Sequence, residues 1–168
     1  MKIVVTIIDT ISSWTGRLAH WLATVLVALI SLEVILRYVF NRPTSWNFET
    51  SLMVGGVLYL LAWSYDHYCR AHIRVDVLYT RLPPRGKTAI DAIGSLIFFF
   101  PVIFLFTKIS FDWALESVRT GETSNMSIWY PPMWPFRFSV VIGFMLFALQ
   151  GVSNFLKDMY FLIRNKPL

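Results

Sequence analysis

In this chain of 168 residues the side chains able to do chemistry are few and widely spread. The histidines are His20, His67 and His72, and Cys69 is the single cysteine. His67, His72 and a neighbouring aspartate make a nominal metal set, but their spacing matches no recognised ligand pattern. Haem requires axial ligands facing each other across helices, whereas His67 and His72 sit at the end of one apolar run and only His20 lies elsewhere. One cysteine provides neither an intramolecular disulfide nor a multi-cysteine metal centre. No metal, cofactor or catalytic residue is therefore expected, and the chain does not read as an enzyme.

What remains is a set of charged and polar residues near the ends of apolar runs. Glu33 and Arg37 are four apart and share one helical face, where pairing lowers the cost of carrying a carboxylate into lipid. They read either as an anchor at an interface or as a contact for another subunit. Tyr38, Asn41 and Pro43 follow, and Pro43 is expected to help end the preceding helix by restricting Arg42. Thr44, Ser45 or Asn47 is expected to cap the next helix, with Trp46 and Glu49 in its first turns, where the helix dipole favours an anion. A structural hairpin with a buried polar tie fits this stretch better than a transport site. Asp66, His67, Arg70, His72, Arg74 and Asp76 form a second cluster, which reads as a loop-fixing network that meets headgroups or protein.

Four apolar runs must position these residues. The chain is 56% hydrophobic and only 15% charged, against about a quarter charged for a soluble domain. The runs cover approximately residues 17–37, 48–65, 88–109 and 136–156, near the length of about 20 residues that crosses a bilayer. A soluble protein can bury one such run, but four leave too little polar chain to cover them. Pro101 lies inside the third run and is expected to bend it without dividing it. That helix is expected to continue through Asp112, Trp113 and Glu116 to a break at Gly121, before an ordered loop from Glu122 to Pro135. Gly55, Gly56, Gly94 and Gly143 are expected to permit close helix contact. The N-terminal stretch MKIVVTIIDTISSW is interrupted by Asp9 and Thr10 and lacks a small-residue cleavage site, so it reads as a short interfacial segment rather than a leader. The expected fold is thus an all-α integral membrane protein of four transmembrane helices in one domain spanning residues 1–168.

Charge sets the expected orientation. Ten of the fifteen basic residues fall before the first run, between the second and third, or after the fourth, including Arg70, Arg74, Arg85, Lys157 and Arg164. Short loops rich in Lys and Arg stay cytoplasmic, so both termini are expected there. The formal charge of +5 does not indicate nucleic acid, because no basic helix or aromatic-basic surface is present. Membrane phospholipids are the expected partner of these short basic loops.

Over nearly its whole length the chain resembles the small membrane subunit, the DctQ-like component, of tripartite ATP-independent periplasmic (TRAP) transporters. The resemblance rests on Glu33, Arg37-Tyr38, Asn41, Pro43, Trp46 and Glu49. It continues with His72-Ile73-Arg74-Val75-Asp76 and with Glu122, Ser124, Pro131 and Trp134. Two departures are Ala71, where the family commonly has a small residue such as Gly, and the bulky polar and aromatic stretch from Trp63 to Cys69. The resemblance implies a non-catalytic subunit in the cytoplasmic membrane of a bacterium or archaeon, the inner membrane in a Gram-negative cell. Its implied partners are a large DctM-like membrane subunit, which carries the substrate and sodium sites, and a periplasmic DctP-like substrate-binding protein. The cargo class implied is an organic anion, a carboxylate or sialic acid, taken up by symport. Two rival readings are an autonomous small transporter using Glu33 and Glu49, and a haem subunit using the histidines.

Overall fold

A computed structural model describes residues 1–70 and 83–164. Among the described residues four helical rods run alternately up and down: α1 (Lys2–Tyr38), α2 (Asn47–Tyr68), α3 (Pro84–Thr120) and α4 (Trp134–Arg164). α2 packs between α1 and α4, and α3 lies along α4. Helices α1, α3 and α4 are each long and apolar enough to cross a membrane. α2, 22 residues long, has polar residues at both ends, among them Glu49 and Asp66, is less apolar and falls outside that set of three. The protein is an all-α, multi-pass membrane protein.

The distribution of polarity is the reverse of a soluble bundle. The largest fully buried side chains are Gln150, Glu49, Asn47, Ser12, Ser64, Ser117 and Ser153, while Ile7, Trp21, Val27, Phe98 and Phe104 lie exposed. Apolar surface on this scale is stable only against lipid or protein, and the polar groups turn inward because lipid offers them no hydrogen bonds.

The N-terminal stretch, expected to feed the first span, is continuous with it, since α1 runs unbroken from Lys2. Its buried residues Val5, Ile8, Ser12, Thr15 and Ala19 follow alternating steps of three and four. That spacing draws one narrow seam down a helix and seats it against neighbours. At the far end the helix stops at Tyr38, five residues before Pro43. Asn41 adopts a left-handed conformation, with φ of 51°, and the Arg42 N–H donates to the Leu36 carbonyl at 2.9 Å. This closure satisfies the last carbonyls, so Asn41 and not Pro43 ends the helix.

Around Pro101 the third rod takes a wide turn, a π-helical segment over Ser95–Phe99, and then resumes as Phe100–Thr120. Proline removes one N–H and its ring crowds the carbonyl four residues back, and an inserted residue relieves both. The wide turn carries the Phe99 ring onto Gly151, where a Cβ would stand only 2.1 Å from the ring. Phe99 also stacks on His67, with centroids 5.0 Å apart. Gly143 likewise admits Leu60, and Gly56 admits Phe136. Gly94 faces open space and Gly55 makes only an ordinary contact, contrary to expectation for those two.

Candidate functional site

Three polar constellations hold the bundle, two near its ends and one in the α3–α4 loop. At the end bearing both termini, the Asp9 carboxylate of α1 receives Lys157 at 2.7 Å, Ser153 at 2.8 Å and the Gln150 amide at 3.2 Å, all from α4. The Gln150 carbonyl oxygen accepts from Ser12 at 2.6 Å, and Ser12 in turn lies 3.0 Å from the Ser64 hydroxyl of α2. Asn154 donates to the His67 carbonyl at 2.8 Å, and Arg70 pairs with Asp158 at 2.7 Å. α4 thereby presents Gln150, Ser153, Asn154 and Lys157 on one face, at helical spacing, to two neighbours at once.

Steric fit and hydrogen bonding support each other here. Gln150, Ser153 and Ser64 are wholly buried, so each partner supplied by another helix replaces a bond that water would otherwise have to make. Of the expected polar cluster after α2, the structure describes Asp66, His67 and Arg70. Arg70 reaches Asp158 of α4, and His67 packs among rings. His72, Arg74 and Asp76 lie outside the described residues.

At the opposite end Glu33 accepts from Arg37 at 3.0 Å, as the four-residue spacing requires, and from the Thr44 hydroxyl. Thr44 is therefore occupied by α1 and does not cap α2, whose N-terminus at Trp46 has no side-chain cap. Asn47 spans the same helix pair by donating to the Leu29 carbonyl at 2.8 Å, while accepting from Ser51. Glu49 is only 2% exposed, and neither of its carboxylate oxygens has a hydrogen-bond partner among the described residues. Trp46 is half-buried, whereas Tyr38 and Pro43 face outward. These last two do not join the Glu33 constellation.

The third constellation is the ordered α3–α4 loop. Gly121, at φ of 61°, ends α3 in the left-handed conformation. Glu122 and Thr123 then run antiparallel to Pro131, Pro132 and Met133. The Ser124 N–H donates to the Pro131 carbonyl at 2.9 Å, and the Met133 N–H to the Glu122 carbonyl at 2.9 Å. Ser124 and Pro131 are buried inside this loop. Arg137 from the first turns of α4 binds the Glu122 carboxylate and covers the Trp113 ring at 5.6 Å. Hydrogen bonding from that guanidinium holds the Glu122 carboxyl below the usual glutamate range, outweighing partial desolvation. Trp134 begins α4 and meets Phe138 edge to face.

Chemically, these arrangements join helices. Among the described residues no three His, Cys, Asp or Glu side chains gather as a metal set. The sequence reading named Glu33, Arg37, Glu49 and Glu122 as candidates but did not name Asp9, Ser12, Gln150, Ser153, Asn154 or Lys157 among them. The spacing of α1 and the polar face of α4 mark each helix separately, and no local pattern joins the two. No curated protein and no solved structure matches the chain. A family model, described as the DctQ component of tripartite ATP-independent periplasmic transporters, matches residues 9–160. That span includes every described polar tie between α1, α2 and α4, and the chain belongs to the DctQ family.

Proposed function

We propose that this chain is the non-catalytic small membrane subunit of a TRAP transporter. It crosses the cytoplasmic membrane four times, over residues 17–37, 48–65, 88–109 and 136–156, with both termini in the cytoplasm. It braces a DctM-like permease that holds the substrate and sodium sites, and helps dock a DctP-like periplasmic protein delivering an organic anion of the carboxylate or sialic acid class. α2 counts as a crossing because its 22 residues extend about 33 Å, enough for the hydrocarbon layer. Its charged residues lie near its two ends, and α1 and α4 flank it. The bridge between Asp9 and Lys157 puts both terminal helix ends together, and the excess of basic loop residues favours that end for the cytoplasm.

The observation carrying this reading is the DctQ match over residues 9–160, on a bundle whose polar interior is occupied by helix-to-helix bonds. Glu33, Arg37, Tyr38, Asn41, Pro43, Trp46 and Glu49 at one hairpin, with Glu122, Ser124, Pro131 and Trp134 at the other, are the residues we assign to the extracytoplasmic side. His72, Arg74 and Asp76 are assigned to the cytoplasmic loop. Extraction from native membranes in mild detergent should recover the chain with a large multi-span partner. In proteoliposomes the chain alone should give no substrate flux. Recovery without any such partner, or flux from the chain alone, would reject the assignment.

A further inference from the structure

Two adjoining cavities lie between α3 and α4 near their loop-bearing end. One, of about 670 Å³, is apolar and lined by Phe106, Ile109, Val140 and Phe144. The other, of about 340 Å³, is polar and lined by Glu116, Thr120 and Glu122. Both are also lined by Trp113 and Arg137, so a single molecule can occupy the pair. The Phe106 and Phe144 rings stack at 5.7 Å along the apolar half. The polar half begins just beyond the apolar limits of the third and fourth runs, at the depth where headgroups meet acyl chains. Tryptophan at that depth is a usual interfacial anchor.

The charges in the polar half select among amphiphiles. Arg137 is matched by Glu122, yet its Nε is buried with no acceptor among the described residues. Glu116 adds a second, exposed carboxylate with no ion pair among them. The site therefore sets one cation, its side chain about a quarter exposed, beside two anions. A lipid of net negative charge would add to that excess, whereas a zwitterion adds nothing to it and, with a primary ammonium, brings N–H donors for Glu116. We propose that this crevice binds one aminophospholipid of the ethanolamine type, with phosphate on Arg137, ammonium on Glu116 and an acyl chain over Phe106 and Phe144. The proposal needs only the membrane setting and stands independently of the transporter assignment.

The full chain, extracted in mild detergent and exchanged into equimolar phosphatidylethanolamine and phosphatidylglycerol, tests this by native mass spectrometry. One phosphatidylethanolamine should be retained per chain, in preference to phosphatidylglycerol. Glu116→Gln should lower that preference by about two- to five-fold, the range of an exposed ion pair. Val140→Trp, which fills the apolar half, should lower retention of both lipids by roughly ten-fold or more. Circular dichroism identifies variants that remain folded. Equal retention of the two lipids by the parent, an unchanged preference in Glu116→Gln, or undiminished retention in folded Val140→Trp would each overturn the proposal. So would crosslinks from position 140 to a protein helix in place of lipid.

Discussion

Replacing Asp9 by leucine should destabilise the chain by about 2 kcal/mol, chiefly through the donors it strands and only secondarily through the lost charge. Lys157 is a quarter exposed along its side chain, so its ammonium can turn to water or to headgroups once the carboxylate is gone. Ser153 and Gln150 have no such exit, because both are wholly buried. The serine hydroxyl can bond back to a carbonyl in its own helix, which softens its loss. The Gln150 amide keeps only Asn154, at 3.3 Å. A stranded buried donor costs about 1–3 kcal/mol, while interhelical bonds in membrane proteins average about 0.6 kcal/mol, and the estimate lies between these. Asp9→Asn retains a carbonyl oxygen for Ser153 and Gln150, so it should lose less than half as much. Reversible unfolding of the purified chain in mixed micelles measures both variants. A leucine variant within about 0.5 kcal/mol of the parent, or an asparagine variant as damaged as the leucine one, would refute the reasoning.

Three further outcomes are expected. Gly143→Ala places a Cβ 2.6 Å from the Leu60 Cβ, an overlap the flexible end of a side chain cannot relieve, and should cost about 1–3 kcal/mol in the same unfolding assay, with partial rescue by Leu60→Ala. Glu49→Leu should leave the melting temperature of the isolated chain unchanged or raised, because it removes a buried carboxylate that has no partner among the described residues; a fall of several degrees would show that a partner exists. Because the folded Glu122 carboxyl lies below its ordinary value, its contribution is full above about pH 4.3 and is lost as pH falls through the lower folded value. Protection of the α3–α4 loop amides, taken relative to their intrinsic exchange at each pH, should fall over that acidic window in the parent, and Glu122→Gln should remove that fall.

The helical architecture and the Glu33–Arg37 pair were legible because each depends on spacing within one helix. A run of twenty apolar residues, or two charges four apart, states its own geometry. The stop at Gly121 was legible for the same reason, since one residue type meets one backbone demand. The polar seam was not, because Asp9 acquires its meaning only from Gln150, Ser153 and Lys157, which no local pattern connects to it. Read alone, Asp9 appears as an interruption of an apolar stretch; in the bundle it is the acceptor that fixes the approach of α4. Thr44 went astray in the same way, as a cap by local rules that is captured by a carboxylate from another helix.

The distance in sequence between Asp9 and its donors also dictates the order of biogenesis. A chain entering the membrane from its N-terminus exposes Asp9 and Ser12 long before Gln150 and Lys157 leave the ribosome. Until then, the start of the first helix has to wait in water or among headgroups. The terminal seam is therefore the last joint to close, and a nascent chain arrested after the third helix should leave Asp9 more accessible to aqueous reagents than it is in the finished protein, where its side chain is 22% exposed.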